Sequence, residues 1–442
     1  MKLTALFTAL IIGLNAFAQF PIGEQTITYN DPIRSNRPIE CQIYYPAVSN
    51  GSNTNVASGQ FPVIVLGHGF AMTVNAYQNW WEEFVPKGYI MVLPTTEGSL
   101  FPAPSHQDFG MDLRFMAETM QSENSNSGSP FYQHVSDRTT IMGHSMGGGA
   151  TIIGASGFSG VDCIVGLAPA ETNPSAIAAA ENVTAPALVL SGEDDSVTPP
   201  NDHHIPIYDA LGSSCKTYVT VNNGSHCYFA NYNFNCAFGE IIPGSLSRED
   251  QLQVSYDLIH PFFNYFLRDS CEAWDEFSSE LQTNSDIDSH VDDCPNEAPV
   301  ISDNSGTLES SSSGNYQWYL DGQPIPGADQ QSHTYSTGGI YQVGTISIGN
   351  CEVLSNELVV QITGLQSPFD QIKISRSSEG ISIQQLPANI LSISTLDMTG
   401  RMIESNSSGN GLDMFVPLAG IKTPILLRIG LSDGQVHTLK VL

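Results

Sequence analysis

The chain has 442 residues, a length that predicts two or three domains rather than one. Acidic residues outnumber basic residues by 45 to 15, so the field around the protein repels phosphate backbones and anionic lipids. This charge balance argues against nucleic acid as a partner. With 14% charged residues and 41% hydrophobic residues, the composition is that of a soluble globular protein.

The first 18 residues have the three parts of a secretory signal peptide. Lys2 precedes an apolar run over residues 3–14, and Ala-Phe-Ala at 16–18 predicts cleavage after Ala18. No later apolar run approaches the ~20 residues that a transmembrane helix needs. We therefore expect a protein that is secreted, extracellular or attached to the outer cell surface, where disulfides form.

Residues 19–281 alternate short β-branched runs with amphipathic segments, which is typical of a mostly parallel, doubly wound sheet covered by helices. We predict an α/β domain here. Its predicted strands are 62–66, 88–93, 139–142, 164–167, 187–190 and 217–221. Its predicted helices include 76–84, 108–121 and a closing helix at 256–267.

The third predicted strand runs into a G-x-S-x-G sequence at residues 143–147. The glycines leave room for a sharp, strained turn that lifts the hydroxyl of Ser145 above the strand ends. The small residues at 148–151 can start a helix packed closely on the sheet. We predict that Ser145 is a nucleophile.

A serine hydroxyl becomes a good nucleophile only when a base takes its proton, and that base needs a carboxylate to orient it. His226 follows one later predicted strand and Asp195 follows another, and such strand ends meet at one edge of a parallel sheet. The same loop holds Asp194 and Glu193, but we favour Asp195 because it lies at the predicted loop tip. Three other histidines are predicted to be surface or packing residues: His203, His204 and His260.

Two backbone amides are needed to stabilise the oxyanion of a tetrahedral intermediate. We predict the amide of Met146, directly after the nucleophile, and that of Phe70, in the loop after the first predicted strand of this series. The ring of Phe70 would line the substrate cleft. No metal and no organic cofactor are implied.

Aromatic residues are concentrated between Cys227 and Cys236, next to His226. A disulfide closing these roughly nine residues would stabilise the fold by about 2.6 kcal/mol on the loop-closure model. We predict this disulfide and a rigid apolar shelf for substrate, or alternatively rings that only pack the loop. The predicted substrate contacts are Phe70, His144, Tyr228 and Phe229.

The acidic, non-periodic segment 282–294 is predicted to be a solvated linker, and calcium binding is disfavoured because its aspartates lack a glycine-bearing loop spacing. Residues 295–363 resemble an immunoglobulin-like β-sandwich, with Trp318 as its buried tryptophan near a predicted Cys294–Cys351 disulfide. Cys41 and Cys163 are predicted to be buried free thiols. Partners for Cys215 and Cys271 stay open.

Residues 366–442 form another predicted all-β unit, which resembles the C-terminal sorting domain of the type IX (Por) secretion system. That resemblance implies the type IX secretion machinery as a partner. An adhesive β-sandwich module is the alternative. The expected architecture is thus one α/β domain followed by two small all-β domains.

Four short sequences in residues 20 to about 270 together resemble the dienelactone-hydrolase and cutinase-like branch of the α/β-hydrolases, which includes polyester (PET) hydrolases. They are His-Gly-Phe at 68–70, the glycine-rich elbow at 143–149, Gly-x-x-Asp at 192–195 with Thr-Pro-Pro at 198–200, and Gly-Ser-His at 224–226. The resemblance implies catalytic roles for Ser145, Asp195 and His226. Polyester hydrolases typically carry a tryptophan soon after the strand that ends here near Leu167, and this chain has Ala-Pro-Ala-Glu there.

The predicted function is a secreted, monomeric serine esterase that acts by two-step acyl transfer on polymeric esters, PET among the candidates. Only ~19 residues separate the predicted strands ending at Leu167 and starting at Ala187, which leaves no room for a large cap over the site. The alternatives are a small-ester carboxylesterase or lipase, a secreted serine peptidase, and a non-enzymatic surface adhesin.

Overall fold

The computed structural model describes residues 19–294, 298–347, 349, 351–361, 373–376, 380–384, 390–407, 413–417, 423–431 and 436–441. The predicted signal peptide, residues 1–18, lies outside the described residues. Within the described ranges, no helix has the length and apolar character needed to cross a membrane.

A ten-stranded mixed sheet forms the centre of the large domain, in the order β10-β9-β8-β7-β6-β4-β5-β2-β1-β3. Its strands are β1 (Ile22–Asp31), β2 (Arg37–Pro46), β3 (Gly51–Ser52), β4 (Phe61–Gly67), β5 (Ile90–Pro94), β6 (Val135–His144), β7 (Cys163–Leu167), β8 (Ala187–Gly192), β9 (Lys216–Val221) and β10 (Ile287–Asp292). Strands β4 to β9 run parallel to one another, and each of β4, β5, β7 and β8 is buried along its whole length. Helices on both faces explain these continuous apolar runs.

Eight α-helices accompany the sheet, and seven of them cover its two faces. They are α1 (Gln78–Phe84), α2 (His106–Glu123), α3 (Met146–Ala155), α4 (Ala176–Ala180), α5 (His204–Ala210), α6 (Phe234–Gly239), α7 (Arg248–Arg268) and α8 (Ala273–Thr283). Helices α1, α7 and α8 bury their apolar residues on one face of the sheet, and α2 to α5 bury theirs on the other. The predicted α/β domain is confirmed, with a sheet that is parallel over β4 to β9 and antiparallel where β1 pairs with β2, β2 with β5 and β9 with β10.

The segment predicted to be a linker is instead structured, so that prediction is wrong. Helix α8 extends to Thr283, and β10 pairs antiparallel with β9 at the edge of the sheet. The acidic side chains there accept hydrogen bonds, with Thr217 Oγ1 donating to Asp292 Oδ1 at 2.8 Å and Tyr208 donating to Asp293 Oδ2 at 2.9 Å. Because an edge strand pairs through its backbone and β10 exposes most of its side chains to water, an acidic, non-periodic sequence is tolerated there.

Three disulfides join six of the eight cysteines. The Cys227–Cys236 disulfide is confirmed, and Cys41 and Cys163 are buried free thiols as predicted. The predicted Cys294–Cys351 bridge is wrong, because Cys294 bonds to Cys215 and Cys351 bonds to Cys271. The pairing of β10 with β9 is the reason for the first of these, since it brings Cys294, two residues after β10, close to Cys215, directly before β9.

The described residues after 297 form two further β units. The first has sheets β11-β12-β15 and β14-β13-β16-β17, with β18 on β16, from strands β11 (Ile301–Asp303), β12 (Thr307–Ser310), β13 (Tyr316–Leu320), β14 (Gln323–Pro324), β15 (Ser332–Thr334), β16 (Gly339–Ile346), β17 (Glu352–Leu354) and β18 (Leu358–Val360). Trp318 is fully buried in its core and donates from Nε1 to the carbonyl of Gln330 at 2.9 Å. This arrangement agrees with a small β-sandwich, while the immunoglobulin likeness stays a prediction.

The second unit has two antiparallel sheets, β19-β20-β23 and β22-β21-β24-β25. Its strands are β19 (Lys373–Arg376), β20 (Gly380–Gln384), β21 (Ile390–Leu396), β22 (Met402–Ser407), β23 (Asp413–Pro417), β24 (Ile425–Leu431) and β25 (Val436–Val441). A shared apolar core includes Ile381, Ile393 and Leu427. The chain thus carries extra β units after the α/β domain, as predicted, and a sorting role for the last of them stays a prediction.

Candidate active site

The predicted elbow joins β6 to α3 through Ser145, whose φ of 57° and ψ of −120° lie outside the ordinary regions for a residue with a side chain. Only glycine fits two positions before it and two positions after it. A Cβ at Gly147 would lie 2.1 Å from the carbonyl oxygen of Gly67, and one at Gly143 would lie 2.2 Å from that of Gly147. The close approach of α3 to β4 therefore explains why the G-x-S-x-G spacing produces this turn.

His226 and Asp195 meet at the same edge of the sheet, with His226 Nδ1 2.7 Å from Asp195 Oδ2. Both residues are buried, at 1% and 4% exposed. A carboxylate only accepts, so Nδ1 carries the proton and Nε2 is left free to act as a base. Asp195 Oδ1 also accepts from the backbone amides of Val197 and Thr198, at 2.9 and 2.7 Å.

Opposing effects set the charge of Asp195. Burial raises the pKa of its carboxyl, but the imidazole of His226, the neighbouring His204 and the hydrogen bonds it accepts outweigh burial, and the net pKa is lowered. The group is therefore a carboxylate at neutral pH, and it can stabilise the imidazolium that forms when His226 takes a proton.

The structure also separates Asp195 from the two other acids of its loop. Asp194 and Glu193 are exposed. The Glu193 carboxylate accepts from the amide of Asn223 at 2.8 Å. Asp195 is the acid that contacts His226, in agreement with the choice made from the sequence.

A buried tyrosine and histidine connect the three loops of the site. The amide of Gly69 donates to Tyr77 Oη at 2.7 Å, and Tyr77 donates in turn to His144 Nδ1 at 2.9 Å. His144 Nε2 donates to the carbonyl oxygen of His226 at 3.0 Å. Burial and the nearby His226 hold the pKa of His144 well below its usual value, as expected for a neutral ring with one donor and one acceptor nitrogen.

His144 was predicted to contact substrate, and this is wrong because its side chain is fully buried. It instead links the elbow to the loop that carries His226, the histidine loop. Tyr77 links both to the loop that contains Gly69 and Phe70. Phe70 is 49% exposed, as a residue lining the cleft requires. Met146 is the first residue of α3, where an amide has no intrahelical acceptor. Their roles as oxyanion donors stay a prediction.

Two polar side chains hold the backbone around His226. Glu240 accepts from the amides of His226 and Cys227, at 2.6 and 2.9 Å. Gln251 accepts from the amide of Ser225 and donates to its carbonyl, both at 2.8 Å. Burial raises the pKa of the Glu240 carboxyl against the effect of these hydrogen bonds. Neither residue was predicted from the sequence, since neither belongs to a recognisable motif.

The aromatic loop after His226 is arranged differently from the prediction. Phe229 is fully buried, and its carbonyl accepts from Trp80 Nε1 at 2.8 Å, so its predicted contact with substrate is wrong. Tyr228 is half-buried, with the Arg248 guanidinium 4.3 Å from its ring centre. The Phe229 carbonyl is thus bonded to α1 and the Tyr228 ring lies against Arg248 of α7, while a substrate contact of Tyr228 stays a prediction.

Five exposed apolar side chains lie further along the chain, at residues 232–242, and we call them the apolar platform. Its members are Tyr232 (70% exposed), Phe234 (70%), Phe238 (76%), Ile241 (84%) and Ile242 (80%). The Cys227–Cys236 disulfide ties this segment to the histidine loop, and Asn235 Nδ2 donates to the carbonyl of Ala71 at 2.7 Å. The platform therefore borders both His226 and the Phe70 loop.

The crossover between β7 and β8 contains only the short helix α4, as the spacing of the predicted strands indicated. Of the histidines predicted to be surface or packing residues, His203 accepts from the amide of Glu171 at 2.8 Å and His260 Nε2 lies 2.6 Å from Glu83. His204 is fully buried and 3.6 Å from Asp195, so it belongs to the site and not to the surface.

Part of the chain that holds this site resembles known proteins. Residues 28–242, which include Ser145, Asp195 and His226, match the family model described as "PETase: PET hydrolase-like". The chain is 26% identical to Cutinase est1 of Thermobifida alba over 186 residues, which are 42% of this chain and 56% of that protein. It is 26% identical to bis(hydroxyethyl) terephthalate hydrolase of Streptomyces coelicolor over 185 residues, 42% of this chain and 54% of the relative.

The chain is also 34% identical to Cutinase 1 of Thermobifida cellulosilytica over a shorter stretch of 92 residues, which are 21% of this chain and 34% of that protein. The chain spans about half the length of the first two curated relatives. These similarities support the cutinase-like branch of the α/β-hydrolases and an ester hydrolase.

Proposed function

We propose that this protein is a secreted serine esterase that hydrolyses polymeric carboxylic esters. The observation that carries the proposal is the 2.7 Å hydrogen bond from His226 to the buried Asp195, at the sheet edge where the elbow presents Ser145. That arrangement supplies a nucleophile, a base and an acid in the chain order found in α/β-hydrolases.

In the proposed mechanism, Ser145 Oγ bonds to the ester carbonyl carbon while its proton passes to His226 Nε2. The carbonyl oxygen becomes an oxyanion that accepts hydrogen bonds from the amides of Met146 and Phe70. The imidazolium, stabilised by Asp195, then protonates the leaving alcohol as the ester C–O bond breaks. Water repeats these steps on the acyl-enzyme, releasing the carboxylic acid and restoring the Ser145 hydroxyl.

The apolar platform supports a polymeric substrate. Its side chains are 70 to 84% exposed, and an exposed apolar patch next to a site commonly marks a binding surface. A small ester bound at Ser145 is too short to cover the apolar platform as well, whereas a polymer surface would bury these side chains together. Each buried apolar side chain would contribute roughly 1.5–3 kcal/mol when fully covered.

An aliphatic polyester should be attacked faster than an aromatic one. Cutinase-like polyester hydrolases hold an aromatic ring with a tryptophan after β7, and this chain has Ala168-Pro169-Ala170 there. A rigid aromatic diester such as PET would therefore lack one stacking partner.

Hydrolysis of 4-nitrophenyl butyrate, followed by release of soluble products from an amorphous aliphatic polyester film, tests the proposal. We expect both activities in the wild-type protein. Activity on the small ester with no release from any polyester would leave a small-ester carboxylesterase. Inactivity on all esters would overturn the proposal and leave the serine peptidase and adhesin alternatives.

Replacing Phe234 and Phe238 together with serine should lower product release from the film by about fivefold or more. The two side chains are exposed on α6, so losing them removes contact area with the polymer and leaves the core unchanged. The rate on 4-nitrophenyl butyrate should stay within about twofold. Val359→Ser, an exposed apolar position in the first β unit, is the matched control. Equal losses on film and small ester would count against a platform role.

The export route is a second part of the proposal. Residues 1–18 would direct the chain across the inner membrane, and residues 366–442 would then engage the type IX secretion machinery. The two disulfides that tie Cys215 and Cys271 to later residues, Cys294 and Cys351, fit an oxidising compartment.

A further inference from the structure

A second histidine lies behind the proposed catalytic acid. His204 is the first residue of α5, and its side chain is completely buried. Its Nδ1 is 2.7 Å from Ser191 Oγ, and its Nε2 is 3.0 Å from Thr198 Oγ1. The mechanism above does not use this ring, yet its Nε2 lies 3.6 Å from Asp195 Oδ2.

Thr198 lies between the two histidines and the acid. Its Oγ1 is 2.9 Å from His226 Nδ1, 3.0 Å from Asp195 Oδ2 and 3.0 Å from His204 Nε2, with the carbonyl of Ala168 at 3.4 Å. A hydroxyl has one proton to donate. His226 Nδ1 already donates to Asp195. The direction of the Thr198 hydroxyl proton therefore depends on whether His204 Nε2 donates a hydrogen bond to Thr198 or accepts one from it.

We propose that His204 is a positioning residue, which donates from Nε2 to Thr198 and so directs the Thr198 hydroxyl proton onto Asp195. The proposal rests on the esterase function proposed above. In this arrangement Ser191 donates to His204 Nδ1. Each hydrogen bond then has one donor and one acceptor along the relay Ser191, His204, Thr198, Asp195.

The charge state of His204 agrees with this relay. Burial lowers the pKa of His204 to about 3, against the opposite effect of Asp195. A neutral imidazole has one N–H and one acceptor nitrogen, as the relay requires. The charged or titratable groups that interact electrostatically with the ring are Asp195, His226, His203 and His144.

The relay completes the hydrogen bonding of the acid. Asp195 Oδ1 accepts from the amides of Val197 and Thr198, and Oδ2 accepts from His226 Nδ1 and from the Thr198 hydroxyl. A carboxylate has about four acceptor positions, so all of them are filled. The carboxylate is thereby held in one orientation, which in turn fixes the orientation of the His226 ring.

Four single variants test the relay through kcat and KM on 4-nitrophenyl butyrate. His204→Leu and Thr198→Val remove the donors. We expect kcat to fall about 10- to 100-fold, the size of loss seen when residues that orient metal ligands are replaced, and KM to stay within about twofold. His204→Gln keeps a donor near the Nε2 position and Thr198→Ser keeps the hydroxyl, so both should stay within about threefold of wild type.

The double variant Thr198→Val/His204→Leu is the sharpest comparison. Since His204 acts through Thr198, the double variant should be no slower than Thr198→Val alone. Additive losses, equal rates for the glutamine and leucine variants, or wild-type kcat in His204→Leu would each overturn the inference. Should the leucine variant not fold, His204→Asn, which replaces Nδ1 but not Nε2, takes its place against His204→Gln.

A measurement without substrate separates this inference from the proposed function. The proton that His226 Nδ1 shares with Asp195 should give a downfield proton NMR resonance, which should shift in His204→Leu and Thr198→Val and be kept in His204→Gln. An unchanged resonance in all variants would contradict the relay. If the wild-type protein hydrolyses no ester, the esterase proposal fails while this resonance still decides whether the relay exists.

Discussion

Ser145→Ala is expected to lower kcat on 4-nitrophenyl butyrate by about 10⁴-fold or more. The substitution removes the atom that attacks the ester and changes nothing else at the elbow. Alanine has a Cβ as serine does, so the φ of 57° is no more strained than before. The variant should therefore fold with an unfolding midpoint close to that of wild type.

His226→Ala should have nearly the same effect, and the double variant should be no slower than either single one, because the nucleophile and its base act as one unit. Ser156→Ala, a serine at the other end of α3, is the matched control and should keep wild-type kcat. Retention of a tenth of the activity by Ser145→Ala would show that another residue is the nucleophile.

Asp195→Asn is expected to lower kcat by about 10⁴-fold, while Asp194→Asn should stay within about threefold. An asparagine amide turned toward His226 would donate to Nδ1, which places the imidazole proton on Nε2. The ring could then no longer take the proton of Ser145. Asp194 is exposed, and its side chain has no hydrogen bond to His226, so its replacement leaves the base unchanged.

The two variants are compared by kcat and by thermal unfolding, because Asp195 also accepts from two backbone amides that an amide oxygen could still satisfy. A large loss in Asp194→Asn with near-normal activity in Asp195→Asn would move the acid to the neighbouring residue. Comparable losses in both would instead indicate that the loop as a whole had moved.

The candidate triad could be predicted because each of its residues carries a local signal. Ser145 lies in a short motif whose glycines are required by close backbone contacts, and Asp195 and His226 each follow a strand with a clear apolar run. Parallel strands end at the same edge of a sheet, so chain order alone predicts that these loops meet. The sequence pattern was therefore sufficient for the α/β domain, the elbow and the choice among loop acids that the structure supports.

Other features depend on contacts between distant residues, which periodicity does not encode. Tyr77 and His144 are 67 positions apart, yet they hydrogen-bond in the centre of the site. Glu240, with no motif around it, binds the backbone of His226 across 14 positions. A buried polar residue of this kind looks like a surface residue in the sequence, because its burial is made possible only by the partner that the fold brings to it.

The same reason explains the predictions that failed. The acidic segment at 287–292 becomes a strand because β9 offers it an unpaired edge, and that pairing then places Cys294 beside Cys215. The burial of the aromatic rings after His226 was likewise decided by packing: Phe229 is buried in the core on one face of the sheet, whereas the platform side chains stay in solvent. Residue types and strand order determined which groups could perform the chemistry, whereas three-dimensional packing decided which side chains support that chemistry and which remain exposed to meet a substrate.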